Sequence, residues 1–437
     1  MRGEPPRNAA QPPVAVPRQR VVIPGFRMAR HAASAALAAC ALLGTAPAAS
    51  AASRDRDLPP PLGRVEFDRE GYARIPFDLR VQHVWIRGTV NASDSVWIVV
   101  DTGAGGTTLD EGLARQLGMR LGGTHQTRGS GGTQASRSVR DVTIRIPGLS
   151  IHRKSLEATA IAGITAPGGR PMQVIVGYEL FRSCTVRFDY AAGIMEVWES
   201  GRSPQDLPGT VVPMQIEENN PYVEGTLQVA GRAPIRGRFV IDSGSTQALM
   251  IAPEVVERES LAIGIPTIEV SGRGVGGESR SRVGRAEAFV LGDLSFERPV
   301  MALTSPGLGR ISVPGSIGNI GGQVLMRCRV TFDYSHRRVL FEPAADFHRP
   351  FEADMSGATF SRVDSTLEVR IVNPGTPADE AGLQVGDRVI RLDGEAARQV
   401  DLPTLRRRLQ EPGRTLELEV LRGTERSNHT LVLRRLI

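Results

Sequence analysis

The stretch VWIVVDTGAGGTTLD, residues 96–110, runs an apolar segment directly into an acidic residue. The residues from Val96 to Val100 are typical of a buried β-strand. Asp101 follows at once, although removing an unpaired carboxylate from water is costly. The sequence therefore predicts that a second group shares the environment of Asp101.

The second half of the chain repeats this stretch. FVIDSGSTQALM (239–250) restates VVDTGAGGTTL (99–109), with Asp242 in the position of Asp101. Two more matching pairs follow in the same order: RGSGG (128–132) with RGVGG (273–277), and VIVGYELFRSCTVRFDY (174–190) with GNIGGQVLMRCRVTFDY (318–334). Matching signals in one order and at similar spacing indicate an internal duplication.

The duplication divides the body of the chain. We predict one lobe over 64–200 and a second over 209–343, joined by the linker SGRSPQDLPG. Each copy contains short strands and one helix after its acidic turn, at 110–118 and 253–264, so the predicted class is mainly β. The sequence pattern changes after Pro350, and a smaller α+β unit is predicted over 350–437.

Residues 1–51 have the features of an export signal. Basic residues precede the apolar run AASAALAACALLG (32–44), and small residues suited to cleavage follow up to Ala51. Met28 is an alternative start, and Cys40 in LAAC matches a lipid-attachment pattern. We expect the folded domains in the periplasm, with membrane contact only if Cys40 is lipidated.

The charge distribution argues against a nucleic-acid partner. The net charge is +6, but residues 1–51 contain six arginines and one acid, which leaves +1 for the rest of the chain. A nearly neutral body lacks the basic surface that nucleic-acid binding requires. The seven histidines show no metal-ligand spacing, so neither a metal nor a cofactor is predicted.

The two acidic triplets resemble those of aspartic peptidases, because each follows an apolar strand inside a repeated unit. DTGAGGTTL and VIVGYELFRSCTVRF are similar to the retropepsin-like branch of that family. The resemblance covers 64–343 and implies a bilobal β fold with a pseudo-two-fold axis, both halves in one chain. It implies a hydrolase that cleaves polypeptides, with Asp101 and Asp242 as its catalytic pair.

The residue types fit this chemistry. Two carboxylates a few ångströms apart cannot both ionise readily, so the pair shares a proton. The ionised member can take a proton from water while the protonated member polarises the scissile carbonyl.

Neighbouring residues are expected to support the pair. Thr102 and Ser243 would brace the two loops by hydrogen bonds, and Gly103 and Gly244 would permit their close approach. Ser245 stands where the first copy has alanine. If its hydroxyl donates to the neighbouring carboxylate, Asp242 becomes the more acidic member.

The glycine-rich segments 127–134 and 272–279 lie roughly 25–35 residues after the aspartates. Aspartic peptidases place hairpin flaps there, which close over an extended substrate. The expected flap glycines are Gly129, Gly131, Gly132, Gly274, Gly276 and Gly277. Ordinary loops are the alternative.

Cys184 and Cys328 occupy equivalent positions in the two copies. Two cysteines are too few for a metal site. They are either buried free thiols or a disulfide that joins the lobes.

The C-terminal segment VRIVNPGTPADEAGLQVGDRVIRLDGE (369–395) resembles PDZ domains. Such domains bind an extended peptide as an added strand beside a helix, here expected over 401–410. The resemblance implies that the turn MSGATF receives a peptide or protein C-terminus through Ser356, Gly357, Ala358, Thr359 and Phe360. A domain that only packs on the body is the alternative.

These features together predict an exported aspartic endopeptidase whose PDZ domain recruits or positions polypeptide substrates. The alternative is a catalytically silent scaffold that binds peptides with the same fold. A serine peptidase centred on Ser130 is disfavoured, because His83 lies only 47 residues upstream and the second copy has no serine there.

Overall fold

The computed structural model describes residues 63–165, 170–305 and 315–437. The predicted export segment, with Met28 and Cys40, lies outside these ranges. The described chain is mainly β, as predicted, with short helices between strands. None of the helices in the described ranges combines the length and apolar character needed to cross a lipid bilayer.

The first repeat supplies twelve strands and three helices within the described residues. Helix α1 begins after Asp110, whose side chain accepts a hydrogen bond from the Leu113 N–H, as an N-cap does. The elements are β1 (Arg64–Phe67), β2 (Tyr72–Pro76), β3 (Asp78–Arg80), β4 (His83–Val90), β5 (Val96–Val100), β6 (Thr108–Asp110), α1 (Glu111–Gln116), β7 (Thr124–Gly129), β8 (Gly132–Ile146), β9 (Leu149–Thr159), α2 (Ala162–Thr165), β10 (Val174–Val176), α3 (Tyr178–Ser183), β11 (Cys184–Asp189) and β12 (Ile194–Glu199).

The second repeat follows the same plan. Its first helix is shorter than the predicted 253–264, because Ser260 adopts a left-handed backbone with φ of 51°. The elements are β13 (Thr210–Glu217), β14 (Asn220–Gln228), β15 (Ile235–Ile241), β16 (Leu249–Ile251), α4 (Pro253–Arg258), β17 (Ile268–Gly274), β18 (Gly277–Arg285), β19 (Ala288–Leu291), β20 (Leu294–Glu297), β21 (Val300–Thr304), β22 (Gly318–Ile320), α5 (Gly322–Leu325), β23 (Cys328–Asp333) and β24 (Arg338–Pro343).

Each lobe has a core sheet in which the strand before the aspartate lies next to a parallel partner. In the first lobe the order is β1-β9-β6-β10-β5-β4-β8-β7, with β10 parallel to β5. In the second lobe β22 lies parallel to β15 in the same way. Fully buried valine and isoleucine side chains fill these strands, as sheets covered on both faces require.

Six strands at one end of a 15-stranded sheet join the lobes, in the order β13-β24-β23-β11-β12-β2. Its central pair is β11 and β23, the two copies of the strand that ends in FDY. Phe188 lies opposite Val330, and the Phe188 and Phe332 rings pack at 6.0 Å between centroids. The duplicated strands thus bury one aromatic core between the lobes, close to the pseudo-two-fold axis.

This strand register settles the state of the two thiols. Cys184 and Cys328 are both buried and free. Extrapolating the β11–β23 pairing places each cysteine six residues from the other's partner position, about 20 Å along the strands. A disulfide needs Cα atoms closer than about 7 Å, so the alternative of a disulfide between the lobes is wrong.

The C-terminal unit forms its own antiparallel sheet, ordered β25-β26-β27-β29-β30 with β28 beside β27. Leucine and valine side chains form a separate core beneath it. The elements are β25 (Ala358–Val363), β26 (Thr366–Val372), α6 (Pro377–Glu380), β27 (Arg388–Leu392), β28 (Glu395–Ala396), a 3₁₀ helix (Ala397–Gln399), α7 (Leu402–Arg408), β29 (Thr415–Arg422) and β30 (Glu425–Val432).

Candidate active site

Asp101 and Asp242 lie at equivalent points of the two lobes, each just after its central strand. The Asp101 N–H donates to the Val176 carbonyl at 2.9 Å. The Asp242 N–H donates to the Ile320 carbonyl, also at 2.9 Å. The parallel neighbours β10 and β22 therefore fix both aspartate backbones at the ends of buried strands.

The structure brings the two carboxyl groups together. The Gly244 N–H donates to Oδ1 of Asp101 at 3.0 Å and to Oδ1 of Asp242 at 2.9 Å. The Gly103 N–H donates to Asp101 Oδ1 at 2.8 Å. The two side chains are within hydrogen-bonding reach of each other. We call this pair the dyad.

Glycine is required beside each carboxyl group. A Cβ atom on Gly103 would lie 2.6 Å from the carboxyl carbon of Asp242. A Cβ atom on Gly244 would lie 2.3 Å from Oδ2 of Asp101. Both distances are shorter than van der Waals contact, so each glycine lets the opposite lobe's carboxyl group approach its backbone.

Thr102 and Ser243 join the two loops behind the dyad through four reciprocal hydrogen bonds. The Thr102 N–H donates to Ser243 Oγ and the Ser243 N–H donates to Thr102 Oγ1, both at 3.0 Å. The Thr102 hydroxyl donates to the Ile241 carbonyl at 2.8 Å, and the Ser243 hydroxyl donates to the Val100 carbonyl at 3.2 Å. Both side chains are about 1% exposed, so water cannot replace these bonds.

The electrostatic environment favours one shared proton. Burial raises the pKa of Asp101, while hydrogen bonds from the backbone N–H groups of Gly103 and Gly244 oppose that rise. Burial and then the nearby charge of Asp101 raise the pKa of Asp242 well above its ordinary value. Both carboxyl groups are therefore harder to ionise than an exposed aspartate, and the pair favours one shared proton.

The premise of the expectation that Asp242 is the more acidic member is wrong. The Ser245 hydroxyl contacts the Met250 sulfur at 3.5 Å rather than the carboxyl group. The amide donor is instead Asn319, whose Nδ2 lies 2.8 Å from Asp242 Oδ2. The Asn319 hydrogen bond lowers the pKa of Asp242, but burial and the charge of Asp101 raise it by more.

Sequence reasoning missed Asn319, although a signal was present. The repeat aligns it with Ile175, so one polar residue replaces an apolar one in an otherwise apolar strand. Asn319 is 1% exposed. A buried amide at that position needs a polar partner, and Asp242 provides it.

His83 was also missed as a site residue. It is 9% exposed, and its Nε2 lies 2.8 Å from the Gly244 carbonyl in the opposite lobe's loop. Asn219 makes the corresponding contact in the other direction, from its Nδ2 to the Gly105 carbonyl at 3.0 Å. Each lobe thus holds the other lobe's dyad loop through a side chain.

Burial of His83 predicts acid sensitivity of the fold. Burial, assisted by the charge of Arg406, lowers the pKa of His83 from 6.5 to about 4. Between these values the unfolded chain binds a proton that the folded chain does not, so stability falls as pH falls. We expect this residue to cost the fold about 3 kcal/mol between pH 7 and pH 4.

Urea unfolding of the parent and of His83→Gln at several pH values measures this contribution. Glutamine keeps an N–H donor for the Gly244 carbonyl but does not titrate. The variant should lose less stability than the parent on acidification. Identical pH dependence of the two proteins would contradict the assignment.

The predicted flap segments form two β-hairpins. The pair β7–β8 closes at Gly129 and Gly132, and the pair β17–β18 closes at Gly274 and Gly277. The tips meet, because the Gly131 N–H donates to the Val275 carbonyl at 2.8 Å, and the Gly276 N–H lies 3.3 Å from Gln134 Oε1. Each lobe contributes one of the hairpins.

A cavity of about 1580 Å³ lies over the dyad. Both aspartates, both hairpins and part of the C-terminal unit line it. Val275 at one hairpin tip packs against an apolar cluster that includes Trp85 and Ile175. The cavity is therefore bounded by elements from both lobes.

The turn MSGATF differs from the expected C-terminus-binding site. The N–H groups of Ser356 and Gly357 donate to Asp354 Oδ1 at 2.8 and 3.1 Å, and the Ala358 N–H donates to Ser356 Oγ at 3.0 Å. These three donors therefore already have partners within the chain. Thr359 and Phe360 lie on β25 and line the cavity.

The comparisons with known proteins agree with the domain composition. The family model for aspartyl proteases matches residues 86–180 and 225–320, and the model for PDZ domains matches residues 368–435. Among proteins of curated function, none matches this chain significantly. Within the described residues no three His, Cys, Asp or Glu side chains cluster as metal ligands would.

Solved structures also resemble the chain. The crystal structure of the aspartic proteinase from Irpex lacteus superimposes with a TM-score of 0.40 and 12% sequence identity. The match covers 64% of this chain and 98% of the proteinase chain. By the two family models, the chain contains an aspartyl protease domain in two segments, followed by a C-terminal PDZ domain.

Proposed function

We propose that this protein is an aspartic endopeptidase in which the dyad activates water against a peptide bond. The observation that carries the proposal is that one N–H group, from Gly244, donates to the carboxyl groups of both Asp101 and Asp242. Two carboxyl groups held this close at the floor of a large cavity suit acid–base catalysis by a shared proton.

The residues support the following steps. The Asp101 carboxylate takes a proton from water, whose oxygen attacks the carbonyl carbon, while the protonated Asp242 donates its proton to the carbonyl oxygen. The tetrahedral intermediate then collapses: the proton on Asp101 passes to the leaving nitrogen as the C–N bond breaks, and a hydroxyl of the intermediate returns a proton to Asp242. The products are a carboxylic acid and an amine, so no cofactor enters the balance.

The proposed substrate is an extended polypeptide. The cavity exceeds the roughly 300–1,000 Å³ of ordinary small-molecule sites. The two hairpins that meet over it would exclude water when a substrate is bound and pair with its backbone. The PDZ domain would recruit or position the same substrates.

A hydroxyl-containing peptide analogue tests the proposal. We expect the purified chain to cleave an unfolded protein, and a peptide with a secondary hydroxyl in place of the hydrated carbonyl to inhibit cleavage competitively. Such an analogue resembles the tetrahedral intermediate, so it should bind at least about 100-fold more tightly than the matching peptide. Peptide binding without any cleavage would favour the silent scaffold.

We also propose that the protein is exported to the periplasm. The basic, apolar and small-residue order of residues 1–51 supports this proposal. Mass spectrometry of the protein recovered from fractionated cells gives its mature N-terminus. Cleavage near Ala51 supports simple export, a lipid-modified Cys40 supports an anchored form, and an uncleaved cytosolic chain contradicts both.

A further inference from the structure

The PDZ domain is fastened to both lobes. Arg80 of the first lobe forms an ion pair with Asp401, the N-cap of α7, at 2.6 Å. The Asn373 side chain exchanges two hydrogen bonds with the backbone of Glu269 on the flap strand β17, at 2.6 and 3.0 Å. These contacts hold the domain beside the cleft.

The cavity above the dyad continues into the PDZ domain. Besides Asp101 and Asp242, its lining includes every residue of β25 and several side chains of α7. In PDZ domains the peptide lies between such a strand and helix. We call the space between β25 and α7 the PDZ groove, and it is continuous with the cleft.

The PDZ groove offers a free strand edge. β25 pairs with β26 on one side and with no other strand of the described chain on its outer side. Phe360 on this strand packs in one apolar cluster with Leu405 and Leu409 of α7 and its end. An extended peptide can therefore add to the edge by backbone hydrogen bonds.

A free C-terminus is disfavoured at this groove. The Asp354 carboxylate already accepts hydrogen bonds from the N–H groups of Ser356 and Gly357 and from the Ser356 hydroxyl, the last at 2.6 Å. The Met355 N–H donates to the Leu409 carbonyl at 2.8 Å and fixes the turn against α7. A terminal carboxylate would meet a negative charge in place of free donors.

The groove carries a cation that is not held in a close ion pair by any described residue. Arg406 of α7 lines the cavity, and within the described residues it makes no ion pair. Its charge also acts on the pKa values of Asp354 and His83, but no close ion pair in the described part of the chain neutralises it. An acidic side chain of a bound peptide could form an ion pair with Arg406.

We propose that the PDZ groove binds an internal, acidic segment of the same polypeptide that occupies the catalytic cleft, and not a free C-terminus. This inference rests on the proposed peptidase function for its cleavage arm only. The binding arm is measured on a chain that cannot cleave.

The binding arm uses the full chain with Asp242→Asn and labelled mixed-sequence peptides of about 20 residues, roughly 65 Å when extended. Each peptide is made with a terminal carboxylate and with a terminal amide, and binding is followed by fluorescence anisotropy. We expect the two forms to bind within about twofold of each other. A tenfold or larger advantage of the carboxylate form, or no binding by any peptide, would overturn the proposal.

Arg406→Ala tests the acidic preference, with Arg398→Ala as the matched control. Arg398 is an exposed arginine of the same domain that does not line the cavity. Arg406→Ala should lower the affinity for peptides rich in Asp and Glu at least about fivefold, and Arg398→Ala should leave that affinity unchanged. Equal effects of the two changes on these peptides would overturn the acidic preference.

The cleavage arm compares these long amides with peptides of about eight residues around the same bond, using the chain with an intact dyad. We expect kcat/KM at least about tenfold higher for the long peptides, and Arg406→Ala to lower it for these alone. Equal kcat/KM for long and short peptides would overturn the inference and leave the peptidase function standing. Binding as expected with no cleavage would refute the peptidase function alone.

Discussion

Asp101→Asn is expected to abolish peptide hydrolysis, and Asp242→Asn is expected to do the same. An amide at position 101 cannot take the proton of water, and an amide at 242 cannot deliver a proton to the carbonyl oxygen. Removing an acid–base group of this kind lowers kcat at least about 1000-fold. The loss should appear in kcat measured on an unfolded protein substrate or on a peptide library.

Both variants should remain folded at pH 7. The pKa of each carboxyl group is raised in the folded state, mainly by burial. A carboxyl group of this kind favours the fold below its unfolded pKa, and this contribution is lost as pH rises through the folded pKa. A neutral amide avoids the loss, so the asparagine variants should be as stable as the parent at pH 7, or more stable.

Asp94→Asn and Asp293→Asn are the matched controls. Both aspartates are exposed, and one lies in each lobe. Both controls should keep full activity. Full activity in either dyad variant, or equal losses in a control, would contradict the shared-proton mechanism.

Thr102→Val is expected to lower both stability and activity. Its hydroxyl donates to the Ile241 carbonyl and accepts the Ser243 N–H, in a region that water does not reach. Valine leaves both backbone groups buried without partners, at about 1–3 kcal/mol each. The free energy of unfolding should therefore fall by about 2–6 kcal/mol.

The loss of activity follows from the dyad geometry. Thr102 and Ser243 fix the loops that carry the two carboxyl groups, and small displacements of reacting groups are costly in rate. Ser243→Ala removes the hydrogen bonds of the Ser243 hydroxyl to the Thr102 N–H and the Val100 carbonyl. It should lower the free energy of unfolding by a similar amount. Urea unfolding and kcat measurements on the same preparations give both quantities.

Thr124→Val is the control for this change. Thr124 is exposed on β7 and does not line the cavity. Its replacement should shift the free energy of unfolding by no more than about 0.5 kcal/mol. If Thr102→Val resembles this control in both stability and rate, the hydrogen bonds between the loops do not support the dyad.

The dyad could be predicted from the sequence, because duplication preserves the local order of residues in each copy. Asp101 and Asp242 each follow an apolar strand within a repeated unit, so symmetry implies that the two strand ends meet. The cap of α1 at Asp110 was equally predictable, because its hydrogen bond to the Leu113 N–H is local. The PDZ domain was recognisable from a continuous motif, residues 369–395, that joins a strand, a Pro-Gly turn and a short helix.

Features that depend on side-chain direction were not predictable in the same way. Ser245 follows its triplet directly, yet its hydroxyl contacts the Met250 sulfur, while Asn319 reaches Asp242 from 77 residues away. The register of β11 and β23, which separates the two thiols, depends on pairing across the lobes. Neither spacing nor composition encodes such long-range geometry.

The role of the PDZ turn could not be predicted from the family resemblance. Resemblance assigned its N–H groups to a ligand, but Asp354, just before the motif, accepts two of them. An aspartate two residues before a serine commonly bonds to the backbone that follows it. Asp354, which occupies the N–H groups of this turn, therefore lies just outside the predicted motif.

Carboxyl-carbon NMR tests most directly whether Asp101 and Asp242 hold one proton jointly. The two resonances, assigned with the single asparagine variants, are followed as pH is lowered from neutral. We expect one charged and one protonated carboxyl group over a broad pH range, with Asp242 protonated first. Two independent titrations near the ordinary aspartate pKa of about 3.9 would contradict it.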